Sequence, residues 1–565
     1  MKRLAAIAAS ATALAAVVST QSATAAPDHR AGTQQAHHPA VASYTPPPLE
    51  WGDCTNATLV AIGAECSMLT VPLDYSRPHG TKIQLAVSRV QHRSSDADYQ
   101  GVMLTNPGGP GGSGLVLSIL GYGPIVPGTA DDDYDWIGFD PRGVGSSQPA
   151  LACDPGFFGY DRPSYIPSKR WIARTWLHRS ADYAKACGRS AAAKMGLLNH
   201  VKTTDTVADM ESLRKALGQR KINYYGFSYG TYLGQVYATL HPNRVRRFVL
   251  DSNVDPRKVW YQANLDQDIA FQKTIGVYFG WLAKHDDVFH LGTTQREVAG
   301  GFYAERRKLD RNPAGGVIGP DELTDVMLSA GYYVYDWVEI GQAYAALVND
   351  GDYSAMKAMY DGANPQDTPG SDNGYAMYLA TQCTDTQWPQ SLRRIFSDNW
   401  RVHRKAPFET WANAWFNGPC SFWPAKAGRP VHVDGHRVHS KILLIDETLD
   451  AATPYAGSLE VRRRFPSASL IEGVGGTTHA GSLSGVACTD DAIAQYLADG
   501  TVPARKPGNR SDLQCPPVPQ PEPTAAQARA QLKSAAPDGT SQRDAPDSTS
   551  LRDALRHELA QAQLR

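Results

Sequence analysis

The pentapeptide Gly-Phe-Ser-Tyr-Gly at residues 226–230 decides the fold class of this chain. It follows the short apolar stretch Ile222–Tyr225, and a segment of helical character continues from it to about Leu240. A G-x-S-x-G pattern between a strand and a helix is typical of a nucleophile elbow, in which the glycines let both elements crowd together and the serine is held in a strained, exposed conformation. The pattern therefore predicts that Ser228 is a nucleophile at the end of a sheet strand.

Short stretches on both sides of the elbow predict the other strands of the sheet. Several are apolar on both faces and end in a Gly- or Asp-rich turn, as buried parallel strands do. Helical patterns separate them, for example Thr206–Leu217, which is amphipathic and ends before Gly218. This alternation predicts an α/β fold with a mainly parallel, twisted sheet covered by helices. The further predicted strands are Ile83–Val90, Val102–Thr105, Trp136–Phe139, Phe248–Leu250, Ile442–Ile445 and Leu470–Glu472.

Between residues 255 and 430 the strand signals fade, and helical segments rich in Trp and Tyr dominate. A helical block inserted between two strands of one sheet predicts a lid over the carboxyl ends of the strands, where ligands bind in open α/β sheets. The resulting organisation is a signal peptide (1–25), a leader or pro-segment (26–48), the first part of the core (49–254), the helical lid (255–430), the second part of the core (431–515), and a Pro-rich, disordered tail (516–565) with one helix near Leu551, Leu555 and Leu559.

The composition and the N-terminus indicate a secreted globular protein. The chain has 55 basic and 56 acidic side chains, so no charge excess favours binding to nucleic acid or to an anionic membrane. Met1-Lys2-Arg3, a short apolar run and Ala23-Thr24-Ala25 form the pattern of a secretory signal peptide that is cut near Ala25. The apolar run is too short for a transmembrane helix.

The eight cysteines all follow the predicted cleavage site. An even count in an exported chain indicates disulfides, although 105 pairings are possible in principle. The cysteines fall into neighbouring couples, and short loops are the simplest closure. No C-x-x-C or clustered Cys/His spacing favours a metal site, so we expect no metal and no cofactor. The expected pairs are Cys54–Cys66, Cys153–Cys187, Cys383–Cys420 and Cys488–Cys515.

A glycine-rich stretch upstream of the elbow supplies a candidate oxyanion hole. Residues 106–114, Asn-Pro-Gly-Gly-Pro-Gly-Gly-Ser-Gly, directly follow the predicted strand Val102–Thr105. Backbone N–H groups aimed at a carbonyl oxygen stabilise the negative charge that develops there during acyl transfer. We expect the donors to be the N–H groups of Gly109 and Tyr229. A phosphate-binding loop is excluded because no Gly-Lys-Ser/Thr follows.

Two acidic residues and one histidine complete a candidate catalytic triad. Asp446 and Asp450 both follow the predicted strand that ends at Ile445, and loop position alone does not separate them. His479 lies in the glycine-rich loop after the last predicted strand, and it is the histidine with this setting downstream of the acid. Ser228 would attack, His479 would take and return its proton, and the carboxylate would hold the imidazole tautomer.

The motifs in combination resemble a known family. Gly-Gly-Pro-Gly-Gly-Ser-Gly, Asp-Pro-Arg-Gly-Val-Gly-Ser-Ser at residues 140–147, the serine elbow and Leu-Asp-x-x-Thr-Pro look like the α/β-hydrolase peptidases related to prolyl aminopeptidase, and more narrowly like the secreted tripeptidyl aminopeptidases of Streptomyces-type bacteria. The resemblance covers about residues 50–515. It implies an α/β-hydrolase fold, Asp450 rather than Asp446 as the acid, and Arg142 as a scaffold residue. Pro107 departs from the histidine of plain prolyl aminopeptidases, which argues against a narrow single-residue prolyl specificity.

The resemblance also implies the substrate class. It implies release of tripeptides or similar short peptides from free N-termini, and therefore a lid carboxylate that receives the substrate ammonium. Asp336, Glu339 and Asp385 are the candidates. Two other functions remain open on the sequence: a secreted esterase or lipase-like hydrolase, since the same triad serves esters, and a catalytically inactive binding protein on a hydrolase scaffold. The intact serine, acid and histidine argue against the last.

Overall fold

The computed structural model describes residues 44–123, 125–128, 130–366, 368–523, 551–553, 555–556 and 559–560. The predicted signal peptide and most of the predicted leader lie outside these residues. The described residues belong to one unit that extends from Ala42 to Arg565. Among them, no helix is long and apolar enough to cross a bilayer.

A ten-stranded sheet lies at the centre of this unit, with the strand order β1-β2-β3-β5-β4-β6-β7-β8-β9-β10. The pairs β1–β2, β2–β3 and β3–β5 are antiparallel, and every pair from β5 to β10 is parallel. The mainly parallel sheet predicted from the sequence is confirmed. The strands are β1 (Gly52–Asp53), β2 (Glu65–Pro72), β3 (Lys82–Val90), β4 (Val102–Asn106), β5 (Asp135–Phe139), β6 (Ile222–Phe227), β7 (Val245–Asp251), β8 (Ile442–Glu447), β9 (Ala468–Gly473) and β10 (Leu513–Cys515).

Helices cover the sheet and connect its parallel strands. Helix α5 packs against β6 and β7, α4 packs against α5, and α16 packs against β7. The helices before the lid are α1 (Ala57–Ala61), α2 (Arg170–Arg189), α3 (Ala191–Lys194), α4 (Thr203–Ala216) and α5 (Tyr229–Leu240), and 3-10 turns span Leu115–Gly121, Leu197–Asn199 and Pro242–Arg244. After the lid come α15 (Ala456–Arg464) and α16 (Ala487–Asp499).

The central strands are buried on both faces, and each face has its own hydrophobic core. Along one strand, Tyr224 belongs to one core and its neighbour Tyr225 to the other. Leu250 and Val249 divide in the same way in β7. Since successive side chains of a strand point to opposite faces, a strand that is covered on both sides needs apolar residues at every position. This requirement explains why these strands read as continuous apolar runs.

Between β7 and β8 the chain forms the helical lid. The lid has a hydrophobic cluster of its own, in which Tyr278, Trp281 and Trp337 pack together. Its helices are α6 (Tyr261–Lys284), α7 (Asp286–Phe289), α8 (Gln295–Leu309), α9 (Pro320–Tyr332), α10 (Trp337–Ala345), α11 (Ser354–Ala363), α12 (Asn373–Asp385), α13 (Leu392–His403) and α14 (Thr410–Phe416), with 3-10 turns at Val334–Asp336 and Gly418–Phe422 and a π-helical turn at Ala346–Asp350.

All eight cysteines form disulfides, and each pairs with its neighbour in the sequence. The bonds are Cys54–Cys66, Cys153–Cys187, Cys383–Cys420 and Cys488–Cys515, as the sequence predicts. The third lies within the lid. The first two and the last lie in the core and its surface segments.

The ends of the chain differ from the sequence prediction. The end of the predicted leader contacts the core, because the Tyr44 hydroxyl donates to the Thr70 carbonyl at 2.8 Å. The tail was expected to be disordered apart from one helix near Leu551, Leu555 and Leu559; the described residues there are helical, whereas the described residues 516–523 pack against the rest of the chain. Val518 is buried and its N–H donates to Glu447, while the Trp281 indole donates to the Pro521 carbonyl. The tail leucines 551, 555 and 559 are also buried.

Candidate active site

Ser228 lies at a strained turn between β6 and α5. Its φ of 54° and ψ of −124° are rare for a residue with a side chain. The turn is tight: a Cβ on Gly226 would lie 2.7 Å from the carbonyl oxygen of Gly230, and a Cβ on Gly230 would lie 2.7 Å from the carbonyl oxygen of Asn106. Only glycine fits at either position. The structure therefore has the elbow that the pentapeptide predicts, with Ser228 at its tip.

The glycine-rich loop after β4 lies beside this elbow. Gly108 and Gly109 have φ values of 103° and 100°, which a residue with a side chain would adopt only with strain. The Asn106 side chain accepts a hydrogen bond from the Gly108 N–H at 3.1 Å and so holds the start of the loop. Gly109, Ser228 and Tyr229 line one cavity. The two residues predicted to form the oxyanion hole thus share a cavity with the predicted nucleophile.

His479 and Asp450 form a buried pair next to the cavity. The His479 Nδ1 lies 2.7 Å from Asp450 Oδ2, and both side chains are fully buried. Thr453 also holds the carboxylate: its N–H donates to Oδ1 and its hydroxyl to Oδ2, each at 3.0 Å, and this hydroxyl lies 3.4 Å from His479 Nδ1. The His479 Nε2 has no hydrogen-bond partner within the described part of the chain. It therefore makes no hydrogen bond with the Ser228 hydroxyl in this structure.

Asp446, the other acidic candidate, lies at the end of β8 and has a different environment. It is buried and accepts a hydrogen bond from the Ser458 hydroxyl, and no contact joins it to His479. Burial and the nearby Asp450 carboxylate hold the pKa of Asp446 well above its usual range. The geometry therefore favours Asp450 as the partner of His479, in agreement with the resemblance.

The cavity lies between the core and the lid and has a volume of about 900 Å³. Tyr332 and Tyr333 of the lid line it, and both rings lie against the imidazole of His479, with centroid distances of 5.7 and 6.5 Å. Trp337 is fully buried in the lid core instead. Some lid aromatics thus face the site, and others only hold the lid together.

Two buried carboxylates that the sequence analysis did not single out support the catalytic loops. Asp251, at the end of β7, accepts the Ser228 N–H on its carbonyl oxygen at 3.0 Å and the Ser482 N–H on its side chain at 2.9 Å. Glu447, at the end of β8, accepts the N–H groups of Thr478 and Val518, each at 2.6 Å. Burial raises the pKa of Asp251 to about 6 and that of Glu447 to about 8. Their only sequence signal is their place at the carboxyl ends of strands.

The three predicted amine-binding carboxylates lie in different places. Asp336 lines the cavity, and burial, with the nearby charge of Glu339, raises its pKa to about 7. Glu339 also lines the cavity but is exposed. Asp385 does not line it: its oxygens accept hydrogen bonds from the Thr203 N–H, the Thr203 hydroxyl and the Trp260 indole. The structure thus corrects the prediction for Asp385, which holds the fold together instead.

A fourth lid carboxylate, Glu409, is a stronger candidate than these three. It precedes α14, lines the cavity and is 4% exposed. Its Oε1 has no hydrogen-bond partner among the described residues. Burial, and then the charge of Asp268, hold the pKa of Glu409 well above its usual range. The surrounding sequence shows only an ordinary helix start, so sequence reasoning had no signal for this residue.

The Asp-Pro-Arg-Gly stretch at residues 140–143 is a scaffold, as the resemblance implies. Arg142 is buried and forms a bidentate ion pair with Asp209 at 2.7 and 2.6 Å, and it also donates to three backbone carbonyls. Asp140 accepts hydrogen bonds from Ser113 and from the Gly114 N–H, so it anchors the glycine-rich loop. Within the described ranges, no group of His, Cys, Asp or Glu side chains is arranged to hold a metal ion.

Comparisons with known proteins agree with this geometry. A family model described as "alpha/beta hydrolase fold" matches residues 101–317, and one described as "TAP-like protein" matches residues 406–515. The carboxylesterase B of Mycobacterium tuberculosis is 29% identical over 459 residues, which cover 78% of this chain and 85% of that protein. The serine protease Hip1 of the same species is 29% identical over 478 residues, which cover 81% and 90%.

The tripeptidyl aminopeptidase of Streptomyces lividans is more similar. It is 38% identical over 487 residues, which cover 84% of this chain and 88% of that protein. The tripeptidyl aminopeptidase of Streptomyces coelicolor matches to the same extent. The aligned length includes both parts of the core and the lid between them. The chain is therefore a serine hydrolase of the α/β-hydrolase fold and belongs to the tripeptidyl aminopeptidase family.

Proposed function

We propose that this protein is a secreted serine exopeptidase that releases tripeptides, or similar short peptides, from free N-termini. The observation that carries the proposal is Glu409, a buried lid carboxyl group in the wall of the cavity that holds Ser228. Asp268 is near enough for its charge to act on Glu409, but it does not line that cavity. Asp268 is 1% exposed and accepts one hydrogen bond, from the Asn413 side chain at 2.8 Å. Within the described part of the chain, no Arg, Lys or His forms an ion pair with either carboxylate.

Burial and the charge of Asp268 make ionisation of Glu409 costly, and a cation that enters the cavity lowers this cost by stabilising the ionised form. A peptide with a free N-terminus carries such a cation at one end. Its ammonium group would bind Glu409, and its backbone would extend toward Ser228. The site would then count residues from the N-terminus, because the ammonium fixes one end of the substrate. A blocked N-terminus would leave Glu409 without its partner.

The triad performs the chemistry in two steps. Ser228 Oγ attacks the scissile carbonyl while His479 Nε2 takes its proton, and the N–H groups of Gly109 and Tyr229 stabilise the oxyanion. His479 then protonates the leaving amine and the C–N bond breaks. The C-terminal part of the substrate leaves, and the N-terminal tripeptide remains as an ester on Ser228. Water, deprotonated by His479, hydrolyses this acyl-enzyme. Asp450 keeps the Nδ1 proton of the imidazole in place throughout.

The experiment compares a free and an N-acetylated tripeptide p-nitroanilide of the same sequence. For the native protein we expect acetylation to lower kcat/KM by about 30-fold or more, since it removes the cation that stabilises the ionised form of a buried carboxyl group. Glu409→Gln should bring the two rates close together, and Asp287→Asn, at an exposed lid carboxylate, is the matched control. Asp336→Asn and Glu339→Gln test the other two carboxylates. Equal rates on both anilides for the native protein would refute the exopeptidase proposal.

A second candidate, an esterase, has one observation in its favour, the similarity to a carboxylesterase B. The same triad and oxyanion hole would hydrolyse an ester. Comparing acyl esters with peptide anilides separates the two: the peptidase proposal expects the anilides with free amines to have the higher kcat/KM. Labelling of Ser228 by a fluorophosphonate excludes the inactive scaffold.

Export is part of the proposal and has its own support. Four disulfides form where the redox environment is oxidising, which fits an extracellular protein. The N-terminal pattern at residues 1–25 supplies the signal. N-terminal sequencing of the protein recovered from culture medium should begin at Ala26. Recovery of the chain only from inside the cell, with Met1 present, would contradict export.

A further inference from the structure

We propose that the C-terminal strap, defined as the described residues 551–553, 555–556 and 559–560, forms one wall of the active-site cavity and limits the size of the groups that reach Ser228. Three of its residues, Asp553, Arg556 and Ala560, line the same cavity as Ser228. The proposal rests on Ser228 as the nucleophile and is independent of the natural acyl donor.

The strap is docked on the core by its apolar face. Leu551, Leu555 and Leu559 are 2%, 3% and 4% exposed, and their spacing of four residues places them on one side of a helix. All three belong to the hydrophobic core that also contains Tyr225 of β6. Burial of three leucine side chains strongly favours docking of this short segment on the core. The contact is therefore part of the fold of the core.

The core is shaped to receive the strap. A Cβ on Gly123 would lie 2.4 Å from Leu551 Cδ1, so the side chain of Leu551 occupies the space that any larger residue at 123 would fill. Next to it, the Arg552 guanidinium donates to the carbonyl of Ile125 at 3.3 Å. These two contacts fix where the strap begins.

The other side of the strap contacts the lid and the loop that follows His479. The Arg556 guanidinium lies over the ring of the lid residue Tyr335, 4.2 Å from its centroid. Leu555 and Leu559 line one small cleft together with Ala480 and Leu483, which lie one and four residues after His479 in the chain. The strap thus bridges the lid and the catalytic loop at the edge of the cavity. Removing it would open the cavity on that side.

The experiment measures access to Ser228 with two fluorophosphonates, a small dialkyl compound and one that carries a long biotinylated polyethylene glycol chain. Both react with the serine in the same way and differ only in bulk. Leu555→Asp places a charge in the buried contact between the strap and the core. For this variant we expect the ratio of the inactivation rate constant of the bulky probe to that of the small probe to rise about fivefold or more. A second variant that lacks residues 524–565 should show the same rise.

Leu240→Asp is the matched control, because Leu240 is an exposed leucine outside the cavity. Its ratio should equal that of the native protein. Adding a synthetic peptide of residues 549–562 to the shortened variant should lower the ratio again. An unchanged ratio in both strap variants overturns the proposal. So does an equal fall of both rate constants, which would mean that the strap only stabilises the fold.

Discussion

The backbone N–H of His479 donates a hydrogen bond to the carbonyl oxygen of Tyr332 at 2.8 Å. One residue belongs to the loop after β9 and the other to the last turn of α9 in the lid. The Tyr332 ring also lies edge-on against the imidazole. The lid therefore supports His479, the proposed catalytic base, directly, in addition to covering the cavity.

This contact predicts that the lid ring affects the chemistry at Ser228. Tyr332→Ala should slow phosphonylation of Ser228 by a small fluorophosphonate about 2- to 10-fold, the range expected for the loss of one aromatic contact. Tyr332→Phe keeps the ring and should react like the native protein. A small probe is chosen because it does not fill the cavity. Equal rates for the alanine and phenylalanine variants would show that the ring does not orient His479.

The different environments of Asp450 and Asp446 predict that substitution by Asn lowers kcat strongly at one position and weakly at the other. Asp450→Asn should lower kcat by about 10⁴-fold, because the imidazole then loses the carboxylate that fixes its tautomer. Asp446→Asn should have a small effect, since Asp446 accepts a hydrogen bond from Ser458 and has no contact with His479. Ser228→Ala and His479→Ala should show the lowest activity, with kcat reduced by about 10⁴- to 10⁶-fold. Steady-state rates on a tripeptide anilide give the order, and a reversed order of the two Asp variants would move the acid to Asp446.

The hydrogen bond from Thr453 to Asp450 predicts a smaller loss of activity than substitution of Asp450 itself. Thr453→Val removes the hydroxyl that donates to Asp450 Oδ2 while the backbone N–H still donates to Oδ1. We expect kcat to fall about tenfold with little change in KM, the effect of one lost hydrogen bond to a charged group. Thr453→Ser keeps the hydroxyl and should recover most of the rate. A valine variant with native kcat would mean that Asp450 is held well enough without it.

The buried Glu447 predicts a pH dependence of stability. Its pKa rises from its ordinary value of 4.5 to about 8 in the folded protein. The folded state then retains a proton that the unfolded chain releases between these values, so the free energy of unfolding falls as the pH rises through this window, by up to about 1.4 kcal/mol per pH unit. Urea denaturation at about pH 5, 6.5 and 8 measures the slope.

Glu447→Gln should flatten that slope, because it removes the titrating group. It should also lower stability at about pH 5, since one of the two N–H groups loses its acceptor, and this deficit should shrink or reverse toward pH 8, where the native protein has lost the stability that its bound proton supplied. Asp287→Asn, at an exposed position, should leave the slope unchanged. A native slope in the glutamine variant would assign the pH dependence to other buried carboxyls, such as Asp336.

The sequence contained enough information to predict Ser228 and His479 because both lie in local patterns. The serine elbow combines two glycines with a strand before it and a helix after it. All of these features can be recognised within a stretch of about 20 residues. The glycine-rich loop that contains His479 can likewise be recognised because it directly follows a predicted strand. Asp450 was open on loop position alone, and the choice came from a motif shared with a known family.

The carboxylates around the site could not be found in this way. Asp251, Glu447 and Glu409 act through contacts with residues far along the chain, and no local pattern encodes those contacts. Asp385 shows the converse, since a carboxylate in the lid sequence proved to hold Thr203 and Trp260. The helix near Leu551, Leu555 and Leu559 was expected, but its burial was missed, because the proline-rich composition of the tail reads as a linker while the docking depends on space left by a glycine more than 400 positions earlier.

The order of the disulfides has a consequence for how this protein is made. Each cysteine bonds to the next one in the chain, at separations of 12, 34, 37 and 27 positions. A polypeptide that emerges from a translocation pore N-terminus first presents its thiols in this same order. Immediate oxidation then joins each thiol to its native partner before the following pair has emerged. Export of this chain in the proposed manner would then require a thiol oxidant but no disulfide isomerase.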